Sequence, residues 1–389
     1  MPKNCFGEEE LAYLKEVIES QDAWRWGRSN FVPRFELAFG KHLGRKYVHA
    51  VNSGTNANAT AYYSLGLVPG DEVICPAIAP IFVSFPVVSI GCVPVFADVD
   101  PKTQIISPEG IEERVTPKTR AVVVVHLNGQ PAMMDEIVSV AKKHNLRIVE
   151  DCAQAYDAYH RGRKVGTIGD VACFSMQQSK HITAGEGGIV ATDNPELYKR
   201  ATEFANSGMP WYMYDLERPE PKAVDGLPTR GHFSFGLDFR FSELQGAVAL
   251  AQLEKIDGFN RRRRELVKHI ETELKDLPDV RLAHVYPGTR PNYWVYPVWG
   301  PEHVGRRGEI NYVEAEYRRM QETRHTSVGV PLPDYVQYKP GICPRAEEST
   351  KGSRAFFVHH SVEDQELAEA ILEFKAAVVD PGLKSGYNS

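Results

Sequence analysis

The chain has 389 residues, enough to build a core of two packed domains. Forty-five Lys+Arg against 51 Asp+Glu leave a net charge of -6, which argues against a binder of nucleic-acid phosphate backbone. Hydrophobic residues at 42% and charged residues at 25% are a globular composition, not a disordered one.

In chain order, the N-terminal MPKNCFGEEELAYLKEV has no apolar core followed by a small-residue cleavage site, so no secretory leader is expected. EEELAYLKEVIES has apolar residues at helical spacing, with Glu8 to Glu10 in the first turn, where the helix dipole favours anions. VPRFELAFGKHLG repeats the pattern and stops at Gly44. A short extended run, YVHAVNSG, precedes a helix from Thr55 to Leu67. The uncharged stretch Ile74 to Ala97 is long enough to cross a bilayer, but Pro80 and Pro86 would break a continuous helix. It reads as a buried strand, a turn, a short helix and a second strand, with no membrane role. DEVICP, PVFADVD, TRAVVVVHL, RIVEDCAQ and VACFSMQ are β-branched runs separated by helical segments. VVVV and RIVE lack period-two alternation, as strands buried on both faces of a parallel sheet do, and the alternation of strand and helix indicates an α/β domain. Residues 207–232 hold four prolines and no period, so a long functional loop is expected there. A helical stretch then runs from SELQ to KDL, followed by a strand in YWVYPVWG and an amphipathic helix in EDQELAEAILEFKAAVV. Six cysteines, at 5, 75, 92, 152, 173 and 343, form no C-x-x-C pair, which points to a reducing cytoplasm and away from zinc or disulfides.

Three segments carry chemistry. Asn52-Ser53-Gly54-Thr55 is a polar turn at a helix start, where free N–H groups and two hydroxyls can cradle a phosphate; the same residues also serve as ordinary N-cap chemistry. Asp151 closes the buried run RIVED, at the strand edge where open α/β sheets bind ligands, and there it would want a cationic partner; it could equally cap the next helix. Lys180 stands alone among uncharged residues in SMQQSKHITAGEGG, just off a buried strand, a setting for a depressed pKa and Schiff-base chemistry, although most lysines are solvated.

Taken together these segments resemble the DegT/DnrJ/EryC1/StrS family of pyridoxal 5'-phosphate (PLP) aminotransferases, which act on sugars and cyclitols. The resemblance runs from about Trp26 to about Lys255, through FVPRFELAFGKHLG, VNSGTNANATAYYSLGLVPGDEVICP, GCVPVFADVDPKT, HLNGQPAMMDEI, VEDCAQAY, GDVACFSMQQSKHITAGEGGIVATD and FRFSELQGAVALAQLEKI. It implies a type I aminotransferase fold: a large, mixed, mostly parallel sheet domain (24–258) and a smaller α+β domain (1–23 with 259–389). It also implies a homodimer with active sites at the subunit interface. Carried over by position, Lys180 would link covalently to the cofactor and shuttle the proton, and Asp151 would pair with the protonated pyridine nitrogen. Gln154 would bond the phenolic oxygen, while Gly54, Thr55 and Ser175 would hold the phosphate with Ser53 as a neighbour. Ser175 lies five positions before Lys180, as the family pattern demands.

Two positions depart from that pattern. The ring-stacking aromatic falls on Pro80, with Phe82 out of register. The family's Asn-Tyr/Phe-Arg is here Asp238-Phe239-Arg240, so Asp238 either turns from the phosphate or is offset by Arg240. His181 is one residue past the position at which a histidine marks lysine-free dehydratases, which keeps the reading with amino transfer. Arg261 to Arg264 reads as a solvated helix face or a nucleotide contact, and His359-His360 as structural or substrate-touching. Trp24, Trp26, Trp211, Tyr212 and Tyr214 read as core or substrate mouth. No metal-ligand spacing is present. The expected reaction moves an amino group from glutamate or glutamine to a keto-sugar or keto-cyclitol, in natural-product biosynthesis. The alternatives are a dehydrating or aromatising enzyme of the same family and a non-catalytic PLP-binding regulator.

Overall fold

A computed structural model describes residues 6–25, 28–209, 232, 234–304 and 338–380. The apolar runs become strands β1 (Tyr47–Val51), β2 (Glu72–Pro76), β3 (Val93–Ala97), β4 (Thr119–Val125) and β5 (Arg147–Asp151). Two-residue strands β6 (Tyr159–His160) and β7 (Arg163–Lys164) follow, then β8 (Val171–Ser175) and β9 (Gly188–Thr192). Seven of these form one sheet in the order β1-β9-β8-β5-β4-β2-β3. Its strands are parallel except β9, which pairs antiparallel with both β8 and β1. Ala121 to Val124 of β4 have no exposed surface, because helices cover both faces, and that is why their sequence shows no alternation.

Helices α1 (Glu8–Ser20), α2 (Phe31–Leu43) and α3 (Gly54–Ser64) lie in the first part of the chain. The 74–97 stretch resolves as expected into β2, one 3-10 turn over Ile81–Val83, a short α4 (Phe85–Ser89) and β3. No helix among the described residues is long and apolar enough to cross a membrane. α5 (Pro108–Glu112), α6 (Met134–Lys143) and α7 (Pro195–Ala205) complete the crossovers. One core unites Tyr62, Ile74, Val122 to Val125, Val149 and Val171; the other gathers Phe31, Phe35, Phe39, Tyr156, Phe174 and Phe241, with Val17 of α1.

The helical stretch expected from 242 onward forms two helices, α8 (Glu243–Glu254) and α9 (Ile256–Leu274). They divide at Lys255, which caps one helix and opens the next with φ -98° and ψ -3°, and whose amine Glu10 holds at 2.5 Å. Beyond α9 come β10 (Arg281–Leu282), β11 (Thr289–Arg290), β12 (Val295–Trp299), α10 (Pro344–Ser349), β13 (Ser353–Phe357) and α11 (Asp364–Val379). β10, β12 and β13 make a three-stranded antiparallel sheet. Its core joins Tyr296, Val298 and Phe356 to Leu266, Ile270 and Leu274 of α9 and Ile371 and Phe374 of α11. The large mixed sheet with a smaller α+β part is the expected architecture.

Candidate functional site

The carboxyl ends of β1, β5 and β8 converge at one edge of the large sheet, where ligands of open α/β sheets bind. β1 runs into Ser53, which caps α3 by accepting the N–H of Asn56 at 3.1 Å. The N–H groups of Gly54 and Thr55, in the same first turn, have no intrahelical acceptor and are available to an anion. A Cβ on Gly54 would lie 2.7 Å from the Cβ of Ser175, so only glycine lets the start of α3 close against the end of β8. Gly188 serves the same approach from β9, since a Cβ there would meet the carbonyl of Ser53 at 2.1 Å. In sequence Gly54 and Ser175 stand 121 positions apart and Ser53 and Gly188 135; the sheet order makes them neighbours.

Asp151 ends β5 and is 4% exposed. Its Oδ1 accepts the N–H of Ala153 and its Oδ2 accepts Nδ2 of Asn58, both at 2.9 Å. No Arg, Lys or His among the described residues lies within ion-pair distance of it. Lys180 lies beyond β8, partly buried, with Nζ 4.0 Å from the centroid of the Trp294 ring. Little solvent reaches that amine, and burial pushes its pKa down to about 8; the Asp151 carboxylate holds it up, the Arg263 guanidinium lowers it further, and Glu186 raises it. The lysine segment is fastened to the wall opposite, where Trp294 Nε1 donates to the carbonyl of Ser179 at 2.8 Å. Gln154 is 2% exposed; its Oε1 accepts the N–H of Asn128 at 2.6 Å, which leaves its NH2 group for another acceptor.

His181 does not compete with Lys180. It is buried, with Nε2 on the carbonyl of Asn292 at 2.8 Å and its ring 5.4 Å from that of Tyr156, within the core. Phe82 is 58% exposed, and its carbonyl lies 3.5 Å from Nδ2 of Asn58, so the chain after Pro80 passes beside the group that holds Asp151. Asp238 is paired: Arg240 binds its carboxylate and donates to Oδ1 of Asn206 at 3.2 Å. Trp24 is 48% exposed. Trp26, Trp211, Tyr212 and Tyr214, with most of the 207–232 loop, lie outside the described residues.

The basic run needs a correction. Arg263 is fully buried and does not lie on a solvated face, because it continues the inward stripe of Val267, Ile270 and Leu274. That spacing was visible in the sequence. Asn58 and Trp294 gave weaker signals: an asparagine one turn into a helix, and a tryptophan inside an apparent strand. His126, Glu150 and Cys152 bring potential ligand atoms within 4.8 Å of one another. Yet Glu150 already accepts the N–H groups of Gly166, Ile168 and Gly169 at 2.6–2.8 Å and contacts His126 Nε2 at 3.1 Å, so the group is a hydrogen-bonded strut.

The residues fit PLP on two observations. A buried carboxylate with hydrogen-bond donors but no ion-pair partner suits a protonated ring nitrogen, and a closed glycine-serine turn with free N–H groups suits a phosphate.

Comparison with known proteins agrees. The model of the DegT/DnrJ/EryC1/StrS aminotransferase family matches residues 4–372, and the chain belongs to that family. GDP-perosamine synthase of Caulobacter vibrioides is 36% identical over 284 residues, 72% of either chain. L-glutamine:2-deoxy-scyllo-inosose aminotransferase of Streptoalloteichus tenebrarius is 38% identical over 270 residues, 69% of this chain and 62% of the relative. An aminotransferase structure from Psychrobacter cryohalolentis superimposes with a TM-score of 0.83 at 26% identity, over 98% of this chain and 100% of that one. The fold is that of the type I aminotransferases, and the chain is a PLP-dependent transaminase.

Proposed function

We propose that this family member transfers an amino group from glutamine or glutamate to the ketone of a sugar or cyclitol, using Lys180 and Asp151 as its catalytic pair. The observation that carries the reading is the buried Asp151 carboxylate, whose charge reaches a lysine amine already depressed to about 8. Relatives named for L-glutamine and an inosose, and for a perosamine, support the donor and acceptor classes. Overall, the donor's amino carbon becomes a ketone and the acceptor's ketone becomes an amino carbon, so no external oxidant or reductant is needed.

The residues divide the work by chemistry. Gly54, Thr55 and Ser175 hold the phosphate through N–H and hydroxyl donors, with Ser53 keeping the turn in shape. Asp151 keeps a proton on the ring nitrogen, and Asn58 fixes the carboxylate for that task. Gln154 offers its NH2 group to the ring oxygen. Bound there, PLP supplies an aldehyde and a ring that withdraws electrons from the substrate carbon next to nitrogen. With PLP bound, Lys180 Nζ would be the amine that holds it through the aldehyde until the amino donor displaces it, and once freed would move a proton off the donor's amino carbon and onto the acceptor carbon. Trp294 screens the amine from water on one side.

Exposed apolar side chains support a subunit contact that completes the site in a homodimer. Leu11 and Ile18 stand two turns apart on α1, both 60% exposed, and Leu244 follows Glu243, which bonds the carbonyl of Ala23. The five described cysteines are free and buried, in keeping with a cytoplasmic protein.

The test is direct. Borohydride reduction of the PLP-loaded chain, followed by peptide mapping, should place the label on Lys180, and glutamine or glutamate should bleach the cofactor absorbance before reduction. A keto-cyclitol or nucleotide-linked keto-sugar should then restore it and appear as the amine by mass spectrometry. Label on another lysine, or bleaching that survives in Lys180→Ala, overturns the reading.

A further inference from the structure

Four consecutive arginines lie in α9, and helical geometry turns one of them inward. Arg263 has no exposed surface, and no carboxylate pairs with it among the described residues. Its guanidinium is spent on backbone carbonyls instead. Nη1 donates to Tyr293, Trp294 and Val358 at 3.4, 3.4 and 3.5 Å, and Nη2 donates to the carbonyl of Lys180 at 3.3 Å. Its Nε has no hydrogen-bond partner. The titratable groups around it are His181 from the lysine segment, His359 and His360 from the stretch after β13, and Lys180 itself. Burial and then the guanidinium's field drive the histidines down, His359 to about 2 and His360 to about 3, so none of them neutralises the charge.

A buried cation without a countercharge is a costly core residue, and an apolar side chain would fill the same position in the stripe more cheaply. What an apolar residue could not do is hold three segments together beside one amine. Two of the carbonyls belong to residues 293 and 294, and the Trp294 ring is the surface on which Nζ of Lys180 rests. A third is the carbonyl of Lys180.

We propose that Arg263 is a positioning residue for Lys180: its guanidinium ties the lysine backbone to the Trp294 wall and sets a second positive charge beside the lysine amine. The consequence is an amine that reaches its neutral, nucleophilic form at lower pH. Asp151 and Glu186 are the opposing charges on the lysine, and Arg263 works against both. The proposal rests on Lys180 as the reactive lysine.

Competitive acetylation of the full-length chain freed of cofactor, read at Lys180 by peptide mass spectrometry from pH 6 to 11, measures the titration directly. Arg263→Met should move the midpoint up by about one pH unit, a loss of about tenfold in Lys180 reactivity at pH 7. Arg263→Lys keeps the charge, so its midpoint should stay with that of the unmodified chain. A folded Arg263→Met, checked by a cooperative thermal melt, that titrates as the unmodified chain overturns the proposal. Should that variant fail to fold, a rise in the midpoint of Arg263→Lys overturns it instead, and an unmoved midpoint supports it. Borohydride mapping separates the premises: label away from Lys180 removes the assignment of the lysine, whereas label on Lys180 with an insensitive midpoint removes only the role of Arg263.

Discussion

Replacing Asp151 with asparagine should produce two effects of opposite sign. The side chain keeps its shape, and Asn58, whose Oδ1 has no partner, can turn its amide to accept from the new NH2 group, so the fold should tolerate the change. The lost charge is what matters. Lys180 sits at about 8 because burial and Arg263 push it down while Asp151 holds it up. At pH 7 an amine of that pKa is about 9% neutral, against about 0.03% for an ordinary lysine. Removing the nearby carboxylate should lower the midpoint by about one unit and bring the neutral share at pH 7 to about half. Capture of PLP by the cofactor-free chain, followed by absorbance in a stopped-flow instrument, should therefore run about fivefold faster at pH 7 than in the unmodified chain. Transamination should move the other way, by at least about tenfold to a hundredfold, as loss of a charge-assisted hydrogen bond to the ring nitrogen requires. Slower capture in Asp151→Asn at pH 7, or a capture rate in the unmodified chain that keeps climbing tenfold per unit past pH 9, would refute the argument that these two charges are coupled.

Three other substitutions probe separate parts of the frame. Gly54→Ala drives a methyl group into Ser175 and should weaken PLP binding by about fivefold to a hundredfold in equilibrium dialysis, since overpacking of this kind costs about 1–3 kcal/mol; unchanged affinity would mean that the turn does not hold the phosphate. Asn58→Ala removes the donor from Asp151 Oδ2, and by the usual worth of a hydrogen bond to a charged group, about 1.5 kcal/mol, dialysis should show PLP held about tenfold more weakly, with little change in melting temperature. Asp157 tests stability. Burial alone would raise its pKa, but hydrogen bonds and charge from His42 and Lys164 bring it down to about 2 from an ordinary 3.8. A folded value below the unfolded one means stability that is present above pH 4 and fades as pH falls toward 2. Asp157→Asn, which suits the positive φ of 55° there, should cost about 2 kcal/mol at pH 7 and only a few tenths of that near pH 2, as urea melts across that range would show.

Sequence alone carried the fold a long way, because the strands of the large sheet are short, β-branched and closed off by turn residues. Asp151, Ser175 and Lys180 could be singled out for a related reason: each stands at or just after the end of such a run. The break at Lys255 was not legible, since no Gly or Pro marks it; the residue that pairs with the Lys255 amine, Glu10, stands some 245 residues earlier in the chain. Asn58 and Trp294 were hidden likewise, their importance lying in which strand end or loop they face. Arg263 was overlooked because four like charges suggest water, although the heptad of Val267, Ile270 and Leu274 pointed inward through it.

The one reversed strand has a consequence for motion. β8 leaves the sheet at Ser175 and β9 re-enters it at Gly188, and those two residues face each other as partners in the ladder. The intervening stretch with Lys180 is thus a short noose knotted at both ends to the stiffest layer of the molecule. Such a loop costs little entropy to close and has little slack to give. In the proposed reaction, travel of Nζ would come from the lysine's own four methylenes, pivoting from that anchor.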